Sequence, residues 1–183
     1  MSRLPFHIRA ATPADIGAIT RIYGDEVAHG VASLEEAPPP ESEMAARMAK
    51  ITGLGLPYLV AENAGRVLGY SYAGPFHTRS AYRFTLEDTI YIDRDARGLG
   101  VGRALVEALL VAAEQIGCRQ MMALISFVDD SVSVRLHEKL GFRPLGIATA
   151  VGYKFGRWID VMYMQRRIGG GDATPPDRAA PGR

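Results

Sequence analysis

The sequence predicts a mixed α/β fold, one sheet flanked by helices, and three observations carry that expectation. Segments with the two-residue period of strands alternate with segments of helical period along most of the chain. A glycine-rich turn, Arg97-Gly98-Leu99-Gly100-Val101-Gly102, joins the alternating run Thr89-Ile90-Tyr91-Ile92 to an amphipathic run. In that run Val101, Ala104, Leu105, Ala108, Leu109, Ala112 and Ile116 recur at helical spacing. Finally, Gln120 to Ser126 is dense in apolar residues, as expected of a central strand covered on both faces.

Taken in order, residues 6–10 read as a short strand. Thr12-Pro13-Ala14-Asp15 then starts a helix, with Thr12 as its cap, Pro13 at the first turn and Asp15 complementing the dipole. Ile16, Ile19, Tyr23 and Val27 form its apolar stripe. Gly30 to Pro40 is a loop, because Pro38 to Pro40 forbid helix or central strand. Glu41 to Ile51 reads as a second helix with Met44, Met48 and Ile51 on one face. Pro57–Glu62 and Val67–Ala73 form a hairpin around Asn63-Ala64-Gly65. Gly74 to Tyr82 is a polar and aromatic connection, and Phe84 to Ile92 is the next strand. After the glycine turn, its helix and the central strand, Asp129 or Asp130 caps a helix that ends at Gly141, with Val132, Leu136 and Leu140 as its stripe. Strands around Pro144–Gly152 and Trp158–Arg166 complete a single domain, residues 1–168. Residues 169–183, rich in Gly, Pro and charge, are expected to form a disordered tail.

Composition narrows the function. The 183 residues suffice for one domain with a substantial core. A net charge of +1 gives no basic field for nucleic acid or an anionic membrane. No apolar run approaches the roughly 18 residues of a membrane-crossing helix, and no signal-peptide pattern opens the chain. The single cysteine, Cys118, excludes an internal disulfide, fits a reducing cytoplasm and reads as a small buried apolar residue. His7, His29, His77 and His137 lack metal-ligand spacing, so no metal is expected.

The glycine turn points to phosphate. Amides freed at a helix N-terminus attract anions, and glycines permit close approach. Arg97 adds a permanent charge suited to a pyrophosphate. Arg103 and Ala104 follow the last glycine where a P-loop needs Lys and Ser or Thr. The G-x-G-x-G spacing past mid-chain also departs from the dinucleotide fingerprint.

The turn resembles the R/Q-x-x-G-x-G/A motif with which GNAT N-acetyltransferases hold the pyrophosphate of acetyl-coenzyme A. Further stretches are similar to the phosphinothricin acetyltransferase branch, which includes the methionine sulfone and sulfoximine acetyltransferases. They are Tyr72-Ala73-Gly74-Pro75-Phe76, Leu86-Glu87-Asp88-Thr89-Ile90-Tyr91, Ser133-Val134-Arg135-Leu136-His137-Glu138, Leu140-Gly141-Phe142 and Gly152-Tyr153-Lys154-Phe155-Gly156-Arg157-Trp158. The resemblance runs from Ile8 to Arg167. It implies a single mixed, largely antiparallel central sheet with splayed central strands, flanked by about four helices. It also implies a cytoplasmic, homodimeric enzyme that transfers acetyl from acetyl-CoA to the α-amino group of an amino-acid analogue in a ternary complex. The alternatives are acetylation of another amine (a polyamine, peptide N-terminus or drug) and a non-catalytic acyl-CoA-binding module.

Glu87 sits in an otherwise apolar strand just before the turn, where a carboxylate is costly unless used. It is either a surface-facing strand residue or, as the resemblance implies, the general base, its pKa raised by partial burial. Asp88 falls on the opposite face and reads as structural. His137, four residues after Ser133 on one helix face, is the second catalytic candidate; it could transfer a proton, orient an aromatic ring or help the thiolate leave. The resemblance assigns cofactor contacts to Arg97, Gly98, Leu99, Gly100, Val101 and Gly102, and to the backbone of Ile90, Tyr91 and Ile92, which includes the oxyanion donor. Asp130 stands where relatives usually carry asparagine and is either a cofactor contact or a helix cap. Phe76, His77, Arg79, Tyr82 and Glu87 would line the acceptor site, with Arg79 reading a carboxylate or phosphinate. Val31 to Glu36 would face the same pocket, although Ala32-Ser33-Leu34-Glu35 is less aromatic than in relatives. Tyr153–Trp158 reads as closing the substrate site or supporting a dimer partner rather than as a nucleic-acid platform.

Overall fold

In the computed structural model, which describes residues 5–127 and 131–176, local sequence signals become eleven main elements. They are β1 (His7–Ala10), α1 (Ile16–His29), α2 (Glu41–Gly53), β2 (Tyr58–Asn63), β3 (Arg66–Pro75), β4 (Thr85–Ile92), α3 (Val101–Gln115), β5 (Gln120–Phe127), α4 (Val132–Lys139), β6 (Arg143–Lys154) and β7 (Arg157–Arg167). The strands form one sheet in the order β1-β2-β3-β4-β5-β7-β6. Every neighbouring pair is antiparallel except β4 and β5, which the α3 crossover makes parallel.

That parallel pair is short. Thr85, Leu86 and Glu87 pair with Gln120, Met121 and Met122, and there the pairing stops. β4 continues to Ile92 against β3, while β5 continues to Phe127 against β7. The sheet therefore forks beyond Glu87, the splay expected from the family resemblance.

Helices cover both faces. α3 packs on one, where Leu86, Val106, Leu109, Met121, Ala123, Phe142 and Met164 form a cluster. α1 and α2 cover the other through Ile19, Val27, Met44, Met48, Tyr58, Val60 and Tyr70. Met121, Met122, Ala123 and Ile125 are all buried, which explains the nearly continuous apolar run of β5. Cys118 is buried beneath α3, and burial pushes its thiol up to about 11. The β2–β3 hairpin turns through Ala64 and Gly65, at φ 48° and 81°, the left-handed pair that a two-residue hairpin loop requires.

One local expectation is refined and two are corrected. The first α-helix begins at Ile16, after a 3-10 turn at Pro13–Asp15 whose N-cap is Thr12, as expected; the Asp15 carboxylate accepts from the Thr12 backbone N–H at 2.7 Å and from its hydroxyl. The α3 stripe runs through Val101, Leu105, Val106, Leu109, Leu110 and Ala113, since the alanines at 108 and 112 lie at its edge, facing β1. Helix α4 is capped by Ser131, whose Oγ accepts from Val134 N, and Val132 points outward at 73% exposure. Asp129 and Asp130 lie outside the described residues. Residues 169–176, the first part of the expected tail, make turns in which Arg119 donates to Thr174 Oγ1 and Pro175 O. No helix among the described residues is long and apolar enough to cross a membrane.

Asp15 ties the first turn to the sheet. Arg9 donates to both its oxygens at 2.8 and 2.7 Å while also reaching Glu62. These bonds, with those from Thr12, outweigh burial and hold the Asp15 carboxyl down at about 2. Its folded value lies below the unfolded one, so its stabilisation is complete above about pH 4 and fades as pH falls toward 2. Asp15→Asn should cost about 1–3 kcal/mol at neutral pH, and much less at about pH 2, in urea unfolding.

Candidate active site

The fork leaves main-chain groups without a strand partner. On β4, Asp93 N donates toward β3, to Leu68 O, while Phe84 O accepts from Arg119 N at the start of β5. The N–H and C=O of one strand residue point to the same side, and sides alternate. Odd-numbered residues of β4 therefore face β3, and Asp88, Ile90 and Ile92 face the gap. Of the three residues expected to bind a ligand through their backbone, Ile90 and Ile92 are so placed. The backbone of Tyr91 faces β3, and its side chain joins the tyrosines on the α1–α2 side.

At the far end of the gap lies the glycine turn. Asp93 fixes its entry, accepting from Asp95 N and pairing with Arg21 at 2.7 Å and Arg66 at 3.3 Å. Gly98 and Gly100 adopt φ of 76° and 85°, and a Cβ on either would meet only open space. Ala104 N is the first amide of the helix to find a backbone carbonyl, Gly100 O. The N–H groups of residues 98–103 donate to no protein acceptor among the described residues. This cradle fits a pyrophosphate. Arg97, at its edge, pairs with Glu26 of α1 at 3.0 Å.

Glu87 occupies the apex of the fork as the last β4 residue paired with β5. Its side chain lies on the α1–α2 face. Across β3 it meets Gly74, whose α-carbon faces Ile51 and Tyr72, and across β5 it meets Met122. The carboxylate forms no hydrogen bond or ion pair among the described residues. Burial, helped by the Asp88 charge, raises its pKa. A half-buried, unpaired carboxylate with a raised pKa at a split in a sheet is suited to taking a proton.

Asp88 and His137 lie on the other face. The His137 ring is buried; Nε2 meets Asp88 Oδ2 at 2.8 Å and Nδ1 meets Ser133 O at 2.7 Å. Phe142 packs edge-on at 4.9 Å. Burial pulls the imidazole pKa down, but the Asp88 hydrogen bond, the Asp88 charge and the Ser133 carbonyl together raise it. Strand alternation thus separates the two candidate catalytic groups, Glu87 and His137.

Phe76, His77 and Tyr82 cluster in the β3–β4 connection, with His77 and Tyr82 stacked at 4.8 Å. Arg79, in the same connection, is exposed and pairs with no group among the described residues. The loop after α1 is more tightly held than its sequence suggests. Tyr23 Oη and Ser33 Oγ are 2.8 Å apart, Arg47 pairs with Glu35 at 2.6 Å, and Lys154 Nζ donates to Gly30 O and Ser33 O at 3.0 and 2.8 Å. Lys154 belongs to the β6–β7 hairpin, so that hairpin reaches across to the loop. Burial lowers the Lys154 pKa against the raising charges of Glu26, Glu36 and Glu35. Sequence reading missed Lys154, Glu26 and the stacked tyrosines 58, 70 and 72 beside Glu87. The alternate-residue tyrosines at 70 and 72 are the one local signal that pointed there. No group of three or more His, Cys, Asp or Glu able to hold a metal occurs among the described residues.

Comparison with known proteins bears on this geometry. A family model described as an acetyltransferase (GNAT) domain matches residues 8–163. The chain is 47% identical to a phosphinothricin N-acetyltransferase of Alcaligenes faecalis over 97% of its own length and 90% of the relative's. It is 37% identical to an L-methionine sulfoximine/L-methionine sulfone acetyltransferase of Pseudomonas aeruginosa, over 95% and 98%. A crystal structure of a phosphinothricin acetyltransferase from Sinorhizobium meliloti in complex with acetyl-CoA superposes with a TM-score of 0.92 at 46% identity, covering 96% of this chain and 95% of that one.

The Asp88–His137 contact has a direct readout. In Asp88→Asn the charge is lost, so the His137 imidazole should titrate lower than in the parent protein in histidine NMR spectra. An unmoved midpoint would show that Asp88 does not set the ring's charge.

Proposed function

The chain belongs to the GNAT acetyltransferase family, and on that premise we propose that it acetylates the α-amino group of an amino-acid analogue of the phosphinothricin, methionine sulfone or methionine sulfoximine type. The observation that carries the reading is the position of Glu87. Strand pairing ends at this residue, so one fork holds a proton acceptor at its apex and phosphate-binding amides at its far end. Acetyl-CoA supplies an acyl group activated as a thioester. Gly98 to Arg103 and Arg97 hold its pyrophosphate, and the edges of Ile90 and Ile92 pair with the extended arm in the gap, one N–H facing the acyl oxygen. The amine approaches from the α1–α2 face and gives its proton to Glu87, directly or through one water, as the C–N bond forms and the sulfur leaves as thiolate. Arg79 and Tyr82 bind the acidic oxygens of the acceptor, with Phe76 and His77 as its apolar wall.

His137 acts in this reading as a positioning residue. Both its ring nitrogens are engaged within the protein, so it fixes Asp88 and with it the main chain of β4 at the fork. Residues 1–168 make up the catalytic domain, and a cytoplasmic location suits a chain with one buried thiol. The homodimer interface is proposed on the β6–β7 hairpin, where Leu145, Ile147, Val151, Tyr153 and Trp158 are each at least half exposed.

Glu87→Gln should leave acetyl-CoA affinity intact and slow transfer about 10²–10⁴-fold, removing the acidic limb of the rate profile. That limb lies above the ordinary glutamate range in the parent enzyme, because burial raises the Glu87 pKa. Assayed by CoA release, turnover is expected with phosphinothricin, methionine sulfone or methionine sulfoximine; turnover with spermidine alone would replace the amino-acid reading. Trp158→Glu should shift the protein from dimer to monomer in sedimentation.

A further inference from the structure

Glu26 is a nearly buried carboxylate that none of the steps above uses. One oxygen, Oε2, accepts from Arg97 at the lip of the glycine turn, 3.0 Å away. The other, Oε1, accepts from the amide of Ala32 at 3.0 Å, in the loop that borders the amine site. The carboxylate lies over Gly30, where an added Cβ would displace it. The next peptide is held by Tyr91, whose hydroxyl donates to Ala32 O at 3.4 Å, and the loop is further fixed by Lys154 at Gly30 O and Ser33 O. One side chain of α1 therefore touches both the phosphate-binding turn and the acceptor loop, which are about 65 residues apart in sequence.

We propose that Glu26 is a positioning residue that couples the two substrate sites, holding the acceptor loop through Ala32 and competing with pyrophosphate for Arg97. The proposal rests on the reading of Arg97 as a pyrophosphate ligand. When phosphate arrives, the Arg97 guanidinium is shared between it and Glu26. The negative charge that helps order the amine site thus weakens the cofactor site, and removing that charge moves the two affinities in opposite directions. A purely structural role would worsen both together.

The test is Glu26→Gln, which keeps the shape and an acceptor for Ala32 N–H but removes the charge. Calorimetry should show acetyl-CoA binding about two- to fivefold tighter, the range of a partly exposed ion pair. Steady-state kinetics should show the KM for the amine raised about fivefold with kcat little changed, because a charged acceptor becomes a neutral one. The same substitution made in an Arg97→Ala background should no longer tighten acetyl-CoA binding. Parallel losses in both affinities, or tightening that persists without Arg97, would overturn the coupling. Unchanged acetyl-CoA affinity in Arg97→Ala alone would instead overturn the pyrophosphate reading of Arg97.

Discussion

Three residues of parallel pairing between β4 and β5, and their abrupt end at Glu87, determine the rest of the structure. Buried main-chain groups without partners are costly, and most proteins eliminate them. Here the two central strands are held apart, each kept in place by its antiparallel neighbour on the far side, β3 for β4 and β7 for β5. The even-numbered residues of β4 beyond the fork are thereby left with N–H and C=O groups turned to an open edge. An extended ligand that offers its own amides to that edge replaces the missing strand, the recognition mode in which main chain gives affinity.

The two-residue period of β4 then divides the labour. Leu86 and Asp88 turn toward α3 and α4, Thr85 and Glu87 toward α1 and α2. Adjacent carboxylates in sequence meet opposite environments. Asp88 is ion-paired to a buried imidazole, whereas Glu87 is half-buried and unpaired, and its raised pKa follows from that difference. The order of the loop after α1 depends on groups from four elements: Tyr23 and Glu26, Arg47, Tyr91, and Lys154.

Legibility in the sequence followed range. The β2–β3 turn, the glycine turn and α3 were readable because their signals are contained within a few residues: positive-φ glycines, a helical period, an adjacent strand. The cap of α4 was misplaced because three successive candidates, Asp129, Asp130 and Ser131, each have suitable chemistry. The fork left no mark in the periodicity of β4 or β5, which reads the same whether or not they pair, so its expectation came from family resemblance. Lys154 and its carbonyl partners are more than 120 residues apart, and a lysine in an aromatic hairpin reads as solvated until the loop it meets is placed. Glu87 stood out as a carboxylate in an apolar strand; its separation from His137 by the thickness of a strand needed the register.

A crystal structure of the chain with CoA and an amino-acid analogue together is the most direct measurement of this account. It should place the pyrophosphate on the amides of Gly98–Arg103, the pantetheine arm along Ile90 and Ile92, and the amino nitrogen within hydrogen-bonding reach of Glu87 or one water from it. CoA seated elsewhere, or an amino nitrogen on the His137 side of β4, would contradict it.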